Sequence, residues 1–456
     1  MKNKIILFTL FSLTFFFSHA QQTEKSLFPH PAWSLQSNIY EVNVRQYTKE
    51  GTFIAFAEAL PRLRKMGIEI LWFMPITPIS LKGRKMNESE LGSYYAVQDY
   101  KGINPEFGNM AEFVALVKKA HELGFKVITD WVPNHTGLDN GWTVRHPDFY
   151  TKDDKGNLIS PFDWTDVYKL NYDNRELRDS MIDAMKYWIQ QADIDGFRCD
   201  VAEPVPADFW KECIGELKKI KNVFMLAEGN TGWLHECGFD ATYNWSAMEY
   251  TKNLYQGKIS ASAFIDSLNA NYLRYPKDAM RMNFTTNHDE NSWNGTEFEK
   301  YGDAYKLFSV FSMTYNQTIP LIYSGQEIPN KKRLKFFVKD PIDWTGYDMA
   351  NFYAILLELR KNNPALASDA SYARIKTSAD ENVLCYQREK NNRKVLVMLN
   401  LSSKPQTFII QDKNFSSFSA LELFTGKKWS TIKPGQQFKL SPWSYIIYSN
   451  AEIQTK

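Results

Sequence analysis

Cysteine is scarce in this sequence of 456 residues: four, at positions 199, 213, 237 and 385, with neither CxxC nor metal-ligand spacing. A small fold stapled by disulfides and a zinc ribbon are thereby excluded. Because Cys199 lies in an apparent strand beside a candidate catalytic residue, the four are read as free thiols. Charge of one sign is lacking as well, with 54 Lys and Arg against 52 Asp and Glu. The best candidate for a basic patch, Lys331-Lys332-Arg333, is three residues long and reads as a solvated loop, so no nucleic-acid partner is expected. Neither H-E-x-x-H nor H-x-H spacing occurs, which weakens a metal-centred reading of the histidines.

A long apolar run is missing except at the N-terminus, where Ile5 to Phe17 follows Lys2 and Lys4 and is followed by Ser18-His19-Ala20 and polar Gln21-Gln22-Thr23. This pattern predicts a secretory signal over residues 1–20, too short for a comfortable membrane span and without the cysteine a lipid anchor needs. The expected product is exported, periplasmic or secreted, with no stable membrane partner. Loss of that segment balances the two signs at 52 each.

What is present is a globular mixture, 44% hydrophobic and 15% aromatic, able to bury a large core. From Ile39 to Lys361, strand-like runs alternate with amphipathic helical ones: Ile39 to Arg45, Ile68 to Met74, Phe125 to Thr129, Gly196 to Cys199, Val223 to Ala227, Phe239 to Ala241, Arg281 to Thr285 and Ile319 to Tyr323 read as eight strands. Eight strand-helix units with no ninth predict an α/β fold, a closed (β/α)8 TIM barrel over residues 21–364. An open doubly wound sheet would carry a glycine-rich phosphate loop after its first strand, and Asn43-Val44-Arg45-Gln46-Tyr47 has none. The long segment after strand three predicts a short inserted subdomain at 135–172, over the barrel mouth. Beyond Asn363-Pro364 the helical period stops, and residues 365–456 read as a C-terminal antiparallel β-sandwich domain.

Barrel chemistry is built where strands end. Those ends read Asp130-Trp131-Val132-Pro133-Asn134-His135, Gly196-Phe197-Arg198-Cys199-Asp200, Ala227-Glu228-Gly229-Asn230 and Asn287-His288-Asp289. So many polar groups are costly to desolvate unless a ligand repays them. Arg198 points to the same side of its strand as Asp200 and should hold that carboxylate ionised, whereas Glu228, with no basic residue within four positions, is the better proton donor.

These four motifs, with Ile319 to Glu327 at strand eight, resemble the α-amylase family of glycoside hydrolases (family thirteen), over about residues 36–450. The resemblance implies Asp200 as nucleophile, Glu228 as general acid/base and Asp289 as a third carboxylate, and a retaining cleavage of α-1,4-glucosidic bonds in starch or maltooligosaccharides. It further implies that Arg198 holds the nucleophile ionised, that His135 and His288 bind sugar hydroxyls, and that Tyr95 stacks on the sugar, with Tyr94 beside it. An α-glucosidase, cyclomaltodextrinase or transglycosylase uses the same carboxylates, and a noncatalytic sugar-binding protein is the remaining reading. No cofactor is expected for the chemistry; a structural calcium is left open by Asn134, because Pro204 stands where many relatives have a histidine. Trp142 and Trp164, the largest apolar surfaces of the insertion, are candidates for binding the glucan substrate.

Overall fold

The computed structural model describes residues 25–84, 90–426 and 429–451; the expected signal at 1–20 lies outside them. Eight parallel strands close into a barrel: β1 (Ile39–Val42), β2 (Ile70–Phe73), β3 (Lys126–Trp131), β4 (Gly196–Cys199), β5 (Phe224–Ala227), β6 (Ala241–Tyr243), β7 (Met280–Asn283) and β8 (Thr318–Tyr323), with β1 pairing β8. Period-2 alternation explains the closure. Ile70 and Trp72, Met280 and Met282, and Ile319 and Leu321 fill the interior, while Leu71 and Phe73 pack outward beneath the helices.

Local chemistry sets the element ends. The first strand stops at Val42 instead of Arg45, because the extended Asn43 starts a short helix, Val44–Tyr47. The helix expected over 53–66 is two, Phe53–Ala57 and Leu60–Met66, with Pro61 in the first turn of the second, where its missing N–H costs nothing. Helix Met110–Glu122 begins on a capping box between Asn109 and Glu112. Helix Trp245–Tyr255, absent from the sequence reading, follows β6 and is capped by Asn244.

Directly after β3 the chain forms a hairpin-like pair, His135–Gly137 against Val167–Lys169, which carries the inserted lid. The C-terminal part holds a six-stranded antiparallel sheet and a separate pair, Gln406–Ile409 with Gln437–Leu440. Val383, Cys385, Leu396 and Met398 of the sheet face Phe408 and Phe438, while Leu384, Tyr386, Val395 and Val397 face the barrel helices. Buried Arg388 ties the two parts, donating to the carbonyls of Tyr315 at 2.6 Å and Ala367 at 2.7 Å. All four cysteines are buried free thiols. In the basic run, Lys332 pairs with Asp340 and Arg333 with Glu299.

Candidate active site

The strand ends converge on a pocket of about 290 Å³ lined by Tyr95, His135, Trp164, Asp200, Glu228 and Asp289, together with Ser93, Asp166, Val167, Val201, Phe336 and Phe337. Arg198, fully buried, organises its floor. Its Nη1 donates to Asp200 at 2.7 Å and to Asp130 at 2.9 Å, and its Nε donates to the Tyr243 hydroxyl at 3.0 Å. Its Nη2 lies 3.1 Å from Glu228 Oε2, an ion pair without hydrogen-bond alignment. The expectation that Glu228 has no basic neighbour is therefore corrected: Arg198 is thirty positions away in sequence, but β4 and β5 are paired, with Arg198 opposite Leu226.

What distinguishes the carboxyls is then the set of contacts each one makes. Burial pushes Asp200, Glu228 and Asp289 all upward. For Asp200 this is opposed by the Arg198 charge, by the direct Arg198 hydrogen bond and by a hydrogen bond from Glu228. For Glu228 the Arg198 charge, the Val201 N–H and the His288 charge oppose burial, while the Asp200 charge adds to it. Only Asp200 accepts a direct Arg198 hydrogen bond, which favours its anion, and the Asp200 charge in turn favours a proton on Glu228.

Backbone strain contributes to the aim of Glu228. Val201, immediately after Asp200, has φ 41°, a left-handed conformation that a β-branched residue avoids. There its N–H donates to Glu228 Oε2 at 2.8 Å, leaving the other carboxyl oxygen for a ligand.

His288 is held at both nitrogens, Nδ1 by Glu41 and Nε2 by the Tyr95 hydroxyl at 2.8 Å, with Asp289 Oδ2 at 3.3 Å. Burial opposes a charge on this ring, but the carboxylates of Asp289 and Glu41 outweigh it and raise its pKa to about 9. Burial also pushes Glu41 upward; the two carboxylates around His288 and the Arg198 charge near Glu41 favour the imidazolium–carboxylate form of the pair. His135 is the opposite case: burial lowers it to about 4, against the charges of Asp166 and Glu228, so it is neutral.

Tyr95 reaches the pocket, with its hydroxyl 3.2 Å from Asp130 and its ring stacked on Phe336, whereas Tyr94 is buried and donates to Asn43. The two lid tryptophans part company. Trp164 stands edge-on to His135 at 5.3 Å and lines the pocket, while Trp142 packs on Tyr100 at 5.0 Å and Phe149 at 5.5 Å, away from the carboxylates. Beyond Glu228 the pocket opens into a groove of about 690 Å³ walled by Phe162, Trp164, Glu203, Asn230 and Trp245.

Asp130 and Glu41 were missed as site residues. Asp130 accepts from Trp72, Tyr95 and Arg198, and burial, opposed by Arg198, pushes it up to about 7. Glu41 shares its strand face with interior Ile39, so the period-2 rule contained that signal. Asp166, Phe336 and Phe337 come from loops, where no period exists to point them inward. Asn134 turns its amide nitrogen to His135 Nδ1 at 3.2 Å, and among the described residues no group of three or more His, Cys, Asp or Glu side chains is placed to hold a metal.

The sequence matches the family model for the α-amylase catalytic domain over residues 17–169 and 162–335, and that for the maltogenic amylase C-terminal domain over residues 374–447. It is 26% identical to an α-amylase of Haloarcula japonica over 402 residues, which is 83% of this chain and 57% of that protein, so it spans little more than half of that relative. It is 25% identical to a cyclomaltodextrinase of Thermoanaerobacter pseudethanolicus, covering 87% of this chain and 75% of the other. The crystal structure of a maltogenic α-amylase from Thermotoga neapolitana superposes with a TM-score of 0.83 at 29% identity, covering 91% and 98% of the two chains. With its catalytic-domain match covering more than half of the sequence, the chain belongs to the α-amylase family of glycoside hydrolases.

Proposed function

We propose that this protein is a retaining α-glucosidic hydrolase that cleaves α-1,4 bonds in maltooligosaccharides and cyclic or short α-glucans, in the manner of maltogenic amylases and cyclomaltodextrinases. Starch is then the poorer substrate. The observation that carries the reading is Asp200 and Glu228 facing one pocket, with Arg198 hydrogen-bonded to Asp200 and ion-paired to Glu228, an arrangement that suits an anion beside a proton donor.

In this reading Asp200 attacks the anomeric carbon while Glu228 protonates the departing oxygen. The resulting glycosyl ester on Asp200 is opened by water, from which Glu228 now takes the proton. Asp289, protonated His288 and Tyr95 bind the hydroxyls and ring of the reacting sugar, and neutral His135 adds a hydroxyl contact. A sugar hydroxyl in place of water gives transglycosylation at the same centre. These steps use no cofactor.

The preference for short chains is supported by the maltogenic type of the C-terminal match and by the lid residue Trp164, which lines the pocket. Export to the periplasm or medium is proposed from residues 1–20 alone, and a bacterial source accords with that signal.

Product analysis over time with maltoheptaose, β-cyclodextrin, pullulan, isomaltose and soluble starch tests the proposal. Maltoheptaose and β-cyclodextrin should be consumed fastest, giving maltose and glucose. Rapid loss of starch viscosity with β-cyclodextrin untouched would replace the proposal with a liquefying amylase, and inertness towards all five would end it.

A further inference from the structure

Arg281 is wholly buried on β7, with Met280 and Met282 on either side directed into the barrel, so its side chain runs outward beneath the helices. Its Nη2 donates to Asn230 Oδ1 at 2.7 Å, to the Tyr243 carbonyl at 3.0 Å and to Asn244 Oδ1 at 3.1 Å. The guanidinium lies 3.4 Å over the Tyr275 ring. Among the described residues its Nε and Nη1 have no hydrogen-bond partner. No carboxylate forms an ion pair with it among the described residues, and burial lowers its pKa to about 10, which leaves it charged at neutral pH. A desolvated cation with two idle donors is an expensive way to fill space that a methionine would fill. A role in holding something in place accounts for its presence.

What it holds is Asn230, two residues after Glu228. Every polar atom of Asn230 is engaged: its N–H with Glu203 Oε1 at 2.6 Å, its carbonyl with the Tyr275 hydroxyl at 2.5 Å, its Oδ1 with Arg281 and Tyr275, and its Nδ2 with Ser246 at 2.8 Å. On the other side, the Glu228 N–H is anchored by the Cys199 carbonyl at 2.9 Å. Between the two anchors Gly229 has no room for a side chain, since a Cβ there would meet Leu234 at 2.5 Å.

We infer that Arg281 is a positioning residue for proton transfer, fixing through Asn230 the turn that aims the Glu228 carboxyl at the leaving oxygen. The inference rests on the reading of Glu228 as the acid. It assigns a catalytic consequence to a residue that touches neither the pocket nor the substrate.

Leaving-group dependence separates this role from a structural one, because a departing aryl oxide needs little protonation while a departing sugar needs it fully. Arg281→Met, Arg281→Lys, Asn230→Ala and Glu228→Gln are compared on maltotriose and on an aryl α-maltoside with an acidic phenol. Arg281→Met should lose about tenfold to a hundredfold in kcat on maltotriose, the scale of a catalytic group misplaced by about 1 Å, and a few-fold or less on the aryl substrate. Asn230→Ala should show the same asymmetry, the double variant should be no worse than either alone, and Arg281→Lys should recover part of the loss.

Equal losses on both substrates, or a raised KM at unchanged kcat, would overturn the inference. Should Arg281→Met fail to fold, Asn230→Ala decides alone by the same asymmetry, and its absence there overturns the inference. Asymmetry in Glu228→Gln but not in the other variants sinks the inference and spares the reading of Glu228; no asymmetry in Glu228→Gln removes both.

Discussion

Replacing Trp164 with alanine should narrow the range of oligosaccharides the enzyme handles, whereas the same change at Trp142 should lower the melting temperature and leave that range alone. Trp164 is 38% exposed, is braced by His135 and by Phe162 at 4.9 Å, and borders both the pocket and the groove. A sugar ring laid on it would cover roughly 60 Å² of apolar surface, which at about 25 cal/mol per Å² is about 1.5 kcal/mol, a loss of about tenfold in kcat/KM. Trp142 is only partly buried, between Tyr100 and Phe149. A fully buried Trp→Ala change costs about 3–5 kcal/mol, so about 2 kcal/mol is expected here, a fall of about 4 °C or less in a chain of this size. Initial rates on maltotriose through maltoheptaose and on an aryl α-glucoside, with thermal melts of each variant, measure both effects. The assignment is refuted if Trp164→Ala keeps the parent chain-length profile while melting lower, or if Trp142→Ala changes the profile at an unchanged melting temperature.

Two further outcomes follow from the pocket. If Asp200 attacks carbon, two inversions leave the freshly released reducing sugar in the α configuration, and proton NMR in the first minutes of hydrolysis should show it; early β product would discard the double displacement. The second concerns stability. His288 is raised from 6.5 to about 9, so its contribution of about 3 kcal/mol is complete below pH 6.5 and is lost as pH rises through 9. Asp130 and Glu297, both pushed up by burial to about 7, lose theirs lower, between the ordinary carboxyl range and pH 7, whereas Arg360, brought down by burial to about 9, titrates in the same range as His288, so the His288 contribution is read as the difference between parent and Glu41→Gln melts from pH 7.5 to 9.5. Glu41→Gln should start less stable and decline less steeply over that window; parallel curves would contradict the assigned charge.

The barrel was legible because its signals are local: each strand is a short apolar run, and each motif sits where a run ends. The acid/base assignment was reached on a premise that the fold reverses, because only strand pairing brings Arg198 to Glu228. Trp142 and Trp164 could not be told apart by composition. Their difference is which neighbours the lid's turns give them, and that depends on contacts such as Tyr100 that lie far off in sequence.

The lid has no joint between itself and the pocket. His135 lines the pocket and is also the first rung of the lid's ladder, paired with Lys169. Any outward swing large enough to separate those strands withdraws a ring from the sugar's surroundings, and any sugar that fixes the ring stiffens the ladder. On the proposed reading, a sugar that engages the His135 ring would also hold the first rung of this ladder, which would link substrate binding to the order of the base of the hairpin.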